Sequence, residues 1–145
     1  MAFTSSGLYF STFRDILDTT QMAINLDLTT HKVALYTTTK TPNYSSDTVF
    51  SATNEVASAN YTTEGTALAG TSVTESPAGT LMWDSTTNPS WGPVTFSSEG
   101  AIIHATALTK ECIVGVTFGS VYTATAGTFT VTWNASGIFT IDLTP

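Results

Sequence analysis

The residues of this chain best suited to nucleophilic or acid–base chemistry are its two histidines, His31 and His104, and its single cysteine, Cys112. Each has a simpler structural reading. His31 stands at the start of a strand, where a solvated turn residue is expected. His104 lies between Ile103 and Ala105, on a strand face shared with Ile102 and Thr106, as a hydrogen-bonded sheet histidine would. A Cys112–His104 pair could make a thiolate nucleophile, but strict alternation puts Cys112 on the face of Val114 and Val116, pointing into a core. The chain contains no G-x-S-x-G elbow, P-loop, dinucleotide fingerprint, H-E-x-x-H or calcium-loop pattern. Any two of its 11 acidic residues could meet as a glycosidase pair, yet no spacing selects two of them. Trp83, Trp91 and Tyr61 could form a stacking platform for sugars; the competing reading puts Trp83 and Trp133 in the core and Trp91 over one end, under the Asn88-Pro89-Ser90 turn. These residues together read as a non-enzymatic protein with no catalytic residues, cofactor or metal.

Composition narrows the partners. The net charge is -7, and Arg14, Lys32, Lys40 and Lys110 are the only permanent cations, so phosphate-backbone binding, which needs clustered Lys and Arg, is not expected. No stretch reaches the roughly 18 apolar residues of a membrane-spanning helix, and no basic n-region precedes an apolar run at Met1. The expected product is therefore made in the cytoplasm and bound to neither nucleic acid nor membrane. One cysteine permits no internal disulfide, so packing must supply the stability. Charged residues are only 10% of the chain, while threonine is roughly one residue in five, a composition that favours pleated, half-exposed strands.

The elements that would hold these residues fit one domain spanning 1–145, as its length suits a single core. Residues 1–10 form an apolar N-terminal arm carrying Phe3, Leu8, Tyr9 and Phe10; it packs on its own domain or docks on a neighbour. Phe13, Ile16, Leu17, Thr20 and Ile24 recur at helical spacing and predict a helix over 12–25, capped by Thr12 with Asp15 three residues on. A β domain over 32–143 follows. Its first strand has Val33 and Leu35 facing one way, Ala34 and Tyr36 the other. A long loop over 37–70, rich in Thr, Ser, Asn and Pro, is the favoured interaction region. Short strand-like runs then cover 71–75, 80–83, 94–96, 101–106, 112–118, 128–133 and 138–143, with Glu99-Gly100 and Ala126-Gly127 among the turns between them. The last three alternate, which predicts one buried and one wet face. The fold expected is mainly β: an antiparallel β-sandwich or open barrel with one N-terminal helix and a long loop.

Several segments are familiar as a set: Ile24-Asn25-Leu26 leading into Lys32-Val33-Ala34-Leu35-Tyr36-Thr37, then Thr41-Pro42-Asn43-Tyr44, Asn54-Glu55-Val56, Tyr61-Thr62-Thr63-Glu64-Gly65, Leu68-Ala69-Gly70, and the closing Gly127 to Trp133 and Gly137 to Leu143. From Ile24 onward the chain resembles small virion structural proteins of tailed, actinobacterial-type bacteriophages, and among them capsid (head) decoration proteins. A paired glycine is common in that family after the Tyr-Thr step, where this chain has Glu64-Gly65. The resemblance implies a protein that binds the outer surface of an assembled capsid, with the major capsid protein and further copies of itself, as a homotrimer, for partners. Phe3, Leu8, Tyr9, Phe10, Tyr44 and Tyr61 are the expected contact residues. The alternatives are a carbohydrate- or host-binding module of a fibre, or another head–tail structural component.

Overall fold

A computed structural model describes residues 3–144 as an antiparallel, mainly β protein with one short helix. The elements in chain order are β1 (Gly7–Leu8), α1 (Phe10–Leu17), β2 (Lys32–Tyr36), β3 (Thr66–Ala67), β4 (Thr71–Glu75), β5 (Thr80–Ser85), β6 (Ser90–His104), β7 (Cys112–Thr130) and β8 (Phe139–Asp142). They form a five-stranded sheet in the order β1-β7-β6-β2-β3 and a three-stranded sheet in the order β4-β5-β8. The main core includes Val33, Leu35, Leu68, Trp83, Ile103 and Phe129, drawn from both sheets and the long loop. This is the sandwich-like arrangement that the alternating pattern predicts.

The centre of the larger sheet is buried on both faces, not on one. Val33 and Leu35 enter the main core, while Ala34 and Tyr36 join Ile102, Cys112, Phe3 and Tyr9 in a second cluster on the outer face. That outer cluster exists because the N-terminal arm closes over it. Leu8 pairs with Val114 and Gly7 with Gly115, Tyr9 N–H donates to Ile113 O, and Thr117 Oγ1 donates to Phe3 O. Phe3, Leu8 and Tyr9 of the arm therefore pack on their own domain, while Phe10 stays exposed; Met1 and Ala2 lie outside the described residues.

Two expected turns are strand interior. Glu99-Gly100 sits inside β6 and Ala126-Gly127 inside β7, so four anticipated short strands fuse into two long ones. A glycine within a strand marks a close approach of something else. At Gly100 it is the Phe3 ring: a Cβ there would lie 2.6 Å from the ring and 2.7 Å from Val116 O. The paired glycines Gly7 and Gly115 make the same room for Tyr44, whose ring would be 2.8 Å from a Cβ at either position. Tyr44 then donates its hydroxyl to Ser5 O at 2.7 Å.

The helix begins earlier and ends sooner than its apolar stripe suggests. Tyr9 occupies the cap position without a side-chain cap bond, whereas Thr12, expected there, is buried inside α1 and donates to Cys112 O at 2.6 Å. Beyond Leu17 the Asp18 carboxylate accepts from Thr20 N–H at 2.7 Å, and Gln21 has a φ of 47°. A local side-chain bond of this kind competes with the helix for its backbone donors. Ile24 still reaches the main core, but from extended chain.

The loop over 37–70 is threaded rather than free. Isolated bridges tie Glu55 to Tyr36 and Val49 to Glu111, β3 pairs with β2, and Val56 N–H donates to Leu35 O at 3.0 Å.

Gly100→Ala should lower stability by about 1–3 kcal/mol, the usual cost of forcing volume into a filled core. A denaturant titration would read this as a lower midpoint; an unchanged midpoint would mean that the Phe3 ring is not confined by the strand beneath it.

Candidate functional site

The reactive side chains meet, but in surroundings that silence them. His104 and Cys112 are register partners on β6 and β7. Both are buried, and Cys112 belongs to the outer cluster, not to the face of Val114. The reason is a register shift between Ile103 and His104, where Ile113 is the extra residue opposite β6 and reverses the alternation. Burial pushes the Cys112 thiol up to about 12, which disfavours the thiolate that a nucleophile requires. Burial also holds the His104 imidazole below its ordinary 6.5; Nε2 lies 3.2 Å from Glu64 O, and the ring packs on Phe50 at 4.6 Å.

His31 is not solvated. It is buried, with Nε2 2.7 Å from Asn25 O and its ring edge-on to Trp83 at 6.0 Å. Segment 24–30 folds back over the start of β2 and covers it, a long-range event that leaves no mark on local periodicity. Burial lowers its pKa as well.

A cluster of charges surrounds the Glu64-Gly65 turn. The Glu64 carboxylate bridges Lys32 Nζ at 3.1 Å and Lys110 Nζ, and these ammonium groups hold it at about 2. Next to it, Glu55 Oε1 accepts from Tyr61 Oη at 2.6 Å and from Glu64 N–H at 2.8 Å. Tyr61 Oη in turn accepts from Leu35 N–H at 2.9 Å. Desolvation raises Glu55 and outweighs these hydrogen bonds. Glu64 and Gly65 both adopt positive φ, 78° and 77°, and a Cβ at Gly65 would strike Val33 O at 1.8 Å. Glu64 thus keeps a backbone shape that suits glycine and adds a carboxylate that Lys32 of β2 and Lys110 of the β6–β7 connection can grip. The network fastens the long loop to β2 and to the β6–β7 connection.

Trp83, Trp91 and Tyr61 form no surface platform for sugars, since all three rings are buried in the main core, as the competing reading had it for Trp83. Trp133, expected inside, is only partly buried. With Phe118, Tyr122, Phe129 and Ile138 it lines a groove of about 660 Å³ between β7 and segment 131–138. Threonines 117, 123, 128, 130 and 132 supply hydroxyls to that groove. Its lining holds no carboxylate, imidazole or thiol, and Tyr122 supplies its one phenol. The expected contact residues also separate. Phe3, Tyr9 and Tyr61 are buried inside the chain, Leu8 and Tyr44 are half-buried against it, and Phe10 alone of the six is largely exposed, at 59%. The sequence reading missed Leu17 as an outward residue; it lies seven positions after Phe10, hence on the same helix face, and is 85% exposed. Arg14 lies between them, its guanidinium 5.7 Å from the Phe10 ring centre.

No family model, curated protein or solved structure matches the chain.

Acid should unfold this protein in stages. His31 and His104 bind protons less readily folded than unfolded, so their contribution is complete above about pH 6.5 and is lost as pH falls. Glu64 contributes stability that is complete above its ordinary 4.5 and fades toward pH 2, while Glu55, raised, opposes it by favouring the folded state in acid. Glu64→Gln should lower the melting temperature at pH 7 and flatten its decline between pH 4.5 and 2; a variant curve parallel to the wild type would remove the two-lysine clamp from the account. Cys112 should react with a thiol reagent only as fast as the protein unfolds, so rapid labelling of the native protein would contradict its burial.

Proposed function

We propose that this protein is a capsid decoration, or cement, protein of a tailed bacteriophage, bound to the outer surface of the assembled shell with the major capsid protein as partner. The single observation that carries the proposal is the outward face of α1, where Phe10 and Leu17 stand 59% and 85% exposed on one side of the helix. Large apolar side chains grouped at a surface mark an interaction site. The adjoining segment 44–49 supports the same patch, because Phe10 N–H donates to Tyr44 O at 2.8 Å and Val49 is 44% exposed. The resemblance of the segments from Ile24 onward supplies the class of partner.

In this reading the inward residues of the arm act indirectly, by holding α1 against the large sheet. A ligand that binds only the assembled lattice stabilises it by mass action, with no chemical step required. Symmetry would repeat one such contact across the shell, and grouping as homotrimers at threefold positions would multiply the affinity of each copy.

The double variant Phe10→Ser/Leu17→Asp should keep its melting temperature, because both side chains are largely exposed, and should bind purified shells at least about tenfold more weakly, the effect of about 1.4 kcal/mol. Co-sedimentation with shells reads the binding, and band intensities of whole particles should give on the order of hundreds of copies. Particles that lack the protein, or undiminished binding by the variant, would remove the proposal's support.

A further inference from the structure

The outer edge of β7 stands apart from the rest of the surface. β1 pairs with β7 only at Val114 and Gly115, and from Thr117 to Thr130 β6 is the only strand beside it among the described residues. Tyr122–Thr130 runs against Ser90–Ser98 in one overall register, interrupted near Val94 and recovered at Phe96. That stretch presents roughly 30 Å of strand edge at about 3.3 Å per residue. Exposed edges are normally blunted by charge or proline. Here neither is present: between Glu111 and Asp142 the chain has no Asp, Glu, Lys, Arg or Pro. The groove lined by Phe118, Tyr122 and Trp133 runs beside the same stretch.

We propose that this edge pairs antiparallel with the same edge of a second copy, about a twofold axis between Ala126 and Gly127. The occupant follows from charge. A twofold contact sets one surface patch against the same patch of the partner, so a chain of net charge -7 is repelled from itself wherever acids line the contact, and this edge has none. The register follows from the faces. Ala124 and Phe129 are the buried side chains of the run, and Ala126, at a φ of 49°, marks the irregularity that reverses alternation between them. Setting Ala124 opposite Phe129 of the partner keeps both core-facing sides together. The remaining pairs are then Tyr122 with Val131, Thr123 with Thr130, and Thr125 with Thr128. Aromatic with β-branched and threonine with threonine are favourable cross-strand combinations. Tyr122, 54% exposed, comes to lie beside Val131 in the partner's groove, and the two large sheets join into one. The inference does not rest on shell binding, and the helix face assigned to the shell is a separate patch.

The test is the association state of the full chain by sedimentation equilibrium across concentration, with Thr125→Lys, Thr128→Glu and, as a control on the other sheet, Thr74→Lys. All three positions are exposed. The wild type and the control should associate in twofold steps. Each edge variant should weaken association about tenfold or more, with unchanged circular dichroism and with the melting temperature of the wild type at concentrations where both are monomeric. Mixing Thr125→Lys with Thr128→Glu should restore a mixed pair, which this register alone demands. A wild type monomeric throughout, association untouched by the edge variants, or failure of the mixed pair to form would overturn the proposal. Amide exchange gives a second readout: protection over 122–130 should rise with concentration, and exchange independent of concentration there would also overturn it.

Discussion

The fold depends on aromatic rings lying directly against strand glycines. Phe3 covers Gly100, and Tyr44 covers the paired Gly7 and Gly115, in each case at distances a side chain would occupy. Without these contacts the outer face of β2, β6 and β7 would meet water with Ala34, Tyr36, Ile102 and Cys112 on it. The rings convert a sheet with one buried side into a sheet with two. That explains how a chain with so little charge and no disulfide is stabilised: apolar burial on two faces of one sheet replaces both. It also explains why Phe3 and Tyr9 of the arm are not free to dock elsewhere, since both rings are consumed in this packing.

Electrostatics has a structural consequence at the Glu64 turn. The loop between β2 and β3 brings Glu55, Tyr61 and Glu64 to the strand edge, where Lys32 and Lys110 close on Glu64 from two elements remote in sequence. A half-buried carboxylate facing two ammonium groups is better placed than an exposed pair, because less of its field is screened by water. The left-handed turn at Glu64-Gly65 is what aims it. Long loops of this kind are usually mobile; here hydrogen bonds to β2 and the bridge to Glu111 leave little backbone unattached.

The thiol and both imidazoles are buried and the loop is tied down, while threonines and serines, charged groups such as Arg14, Asp18 and Glu75, the apolar side chains of Phe10, Leu17 and Leu143, and the uncharged edge of β7 face outward. A rigid sheet has little conformational freedom left to lose on contact with a partner.

Much of this was legible beforehand. Alternation in Lys32–Tyr36 assigned Val33 and Leu35 to one side and Ala34 and Tyr36 to the other, and the structure agrees, because a period of two is a local property of an extended chain. The run 71–75 matches β4 in its bounds, because β-branched residues between Gly70 and the Ser76-Pro77 turn favour a short strand. Local pattern failed where a distant residue decided the outcome. Gly100 and Gly127 look like turns until Phe3 and the β6–β7 register are known, Cys112 changes face through an extra residue at Ile113, and His31 is covered by a segment that no periodicity connects to it. Of the candidate contact residues, the apolar character of Phe3, Tyr9, Phe10, Tyr44 and Tyr61 was plain, but hydrophobicity does not say whether a ring is buried by its own chain or left for another. By itself the sequence determined the β class, the single helix near the N-terminus and the faces of an isolated strand, all of which depend on neighbours a few residues apart. Only the tertiary structure decided which glycines are strand interior, which rings are spent inside and which edge remains open, because each of those is settled by an atom that arrives from far along the chain.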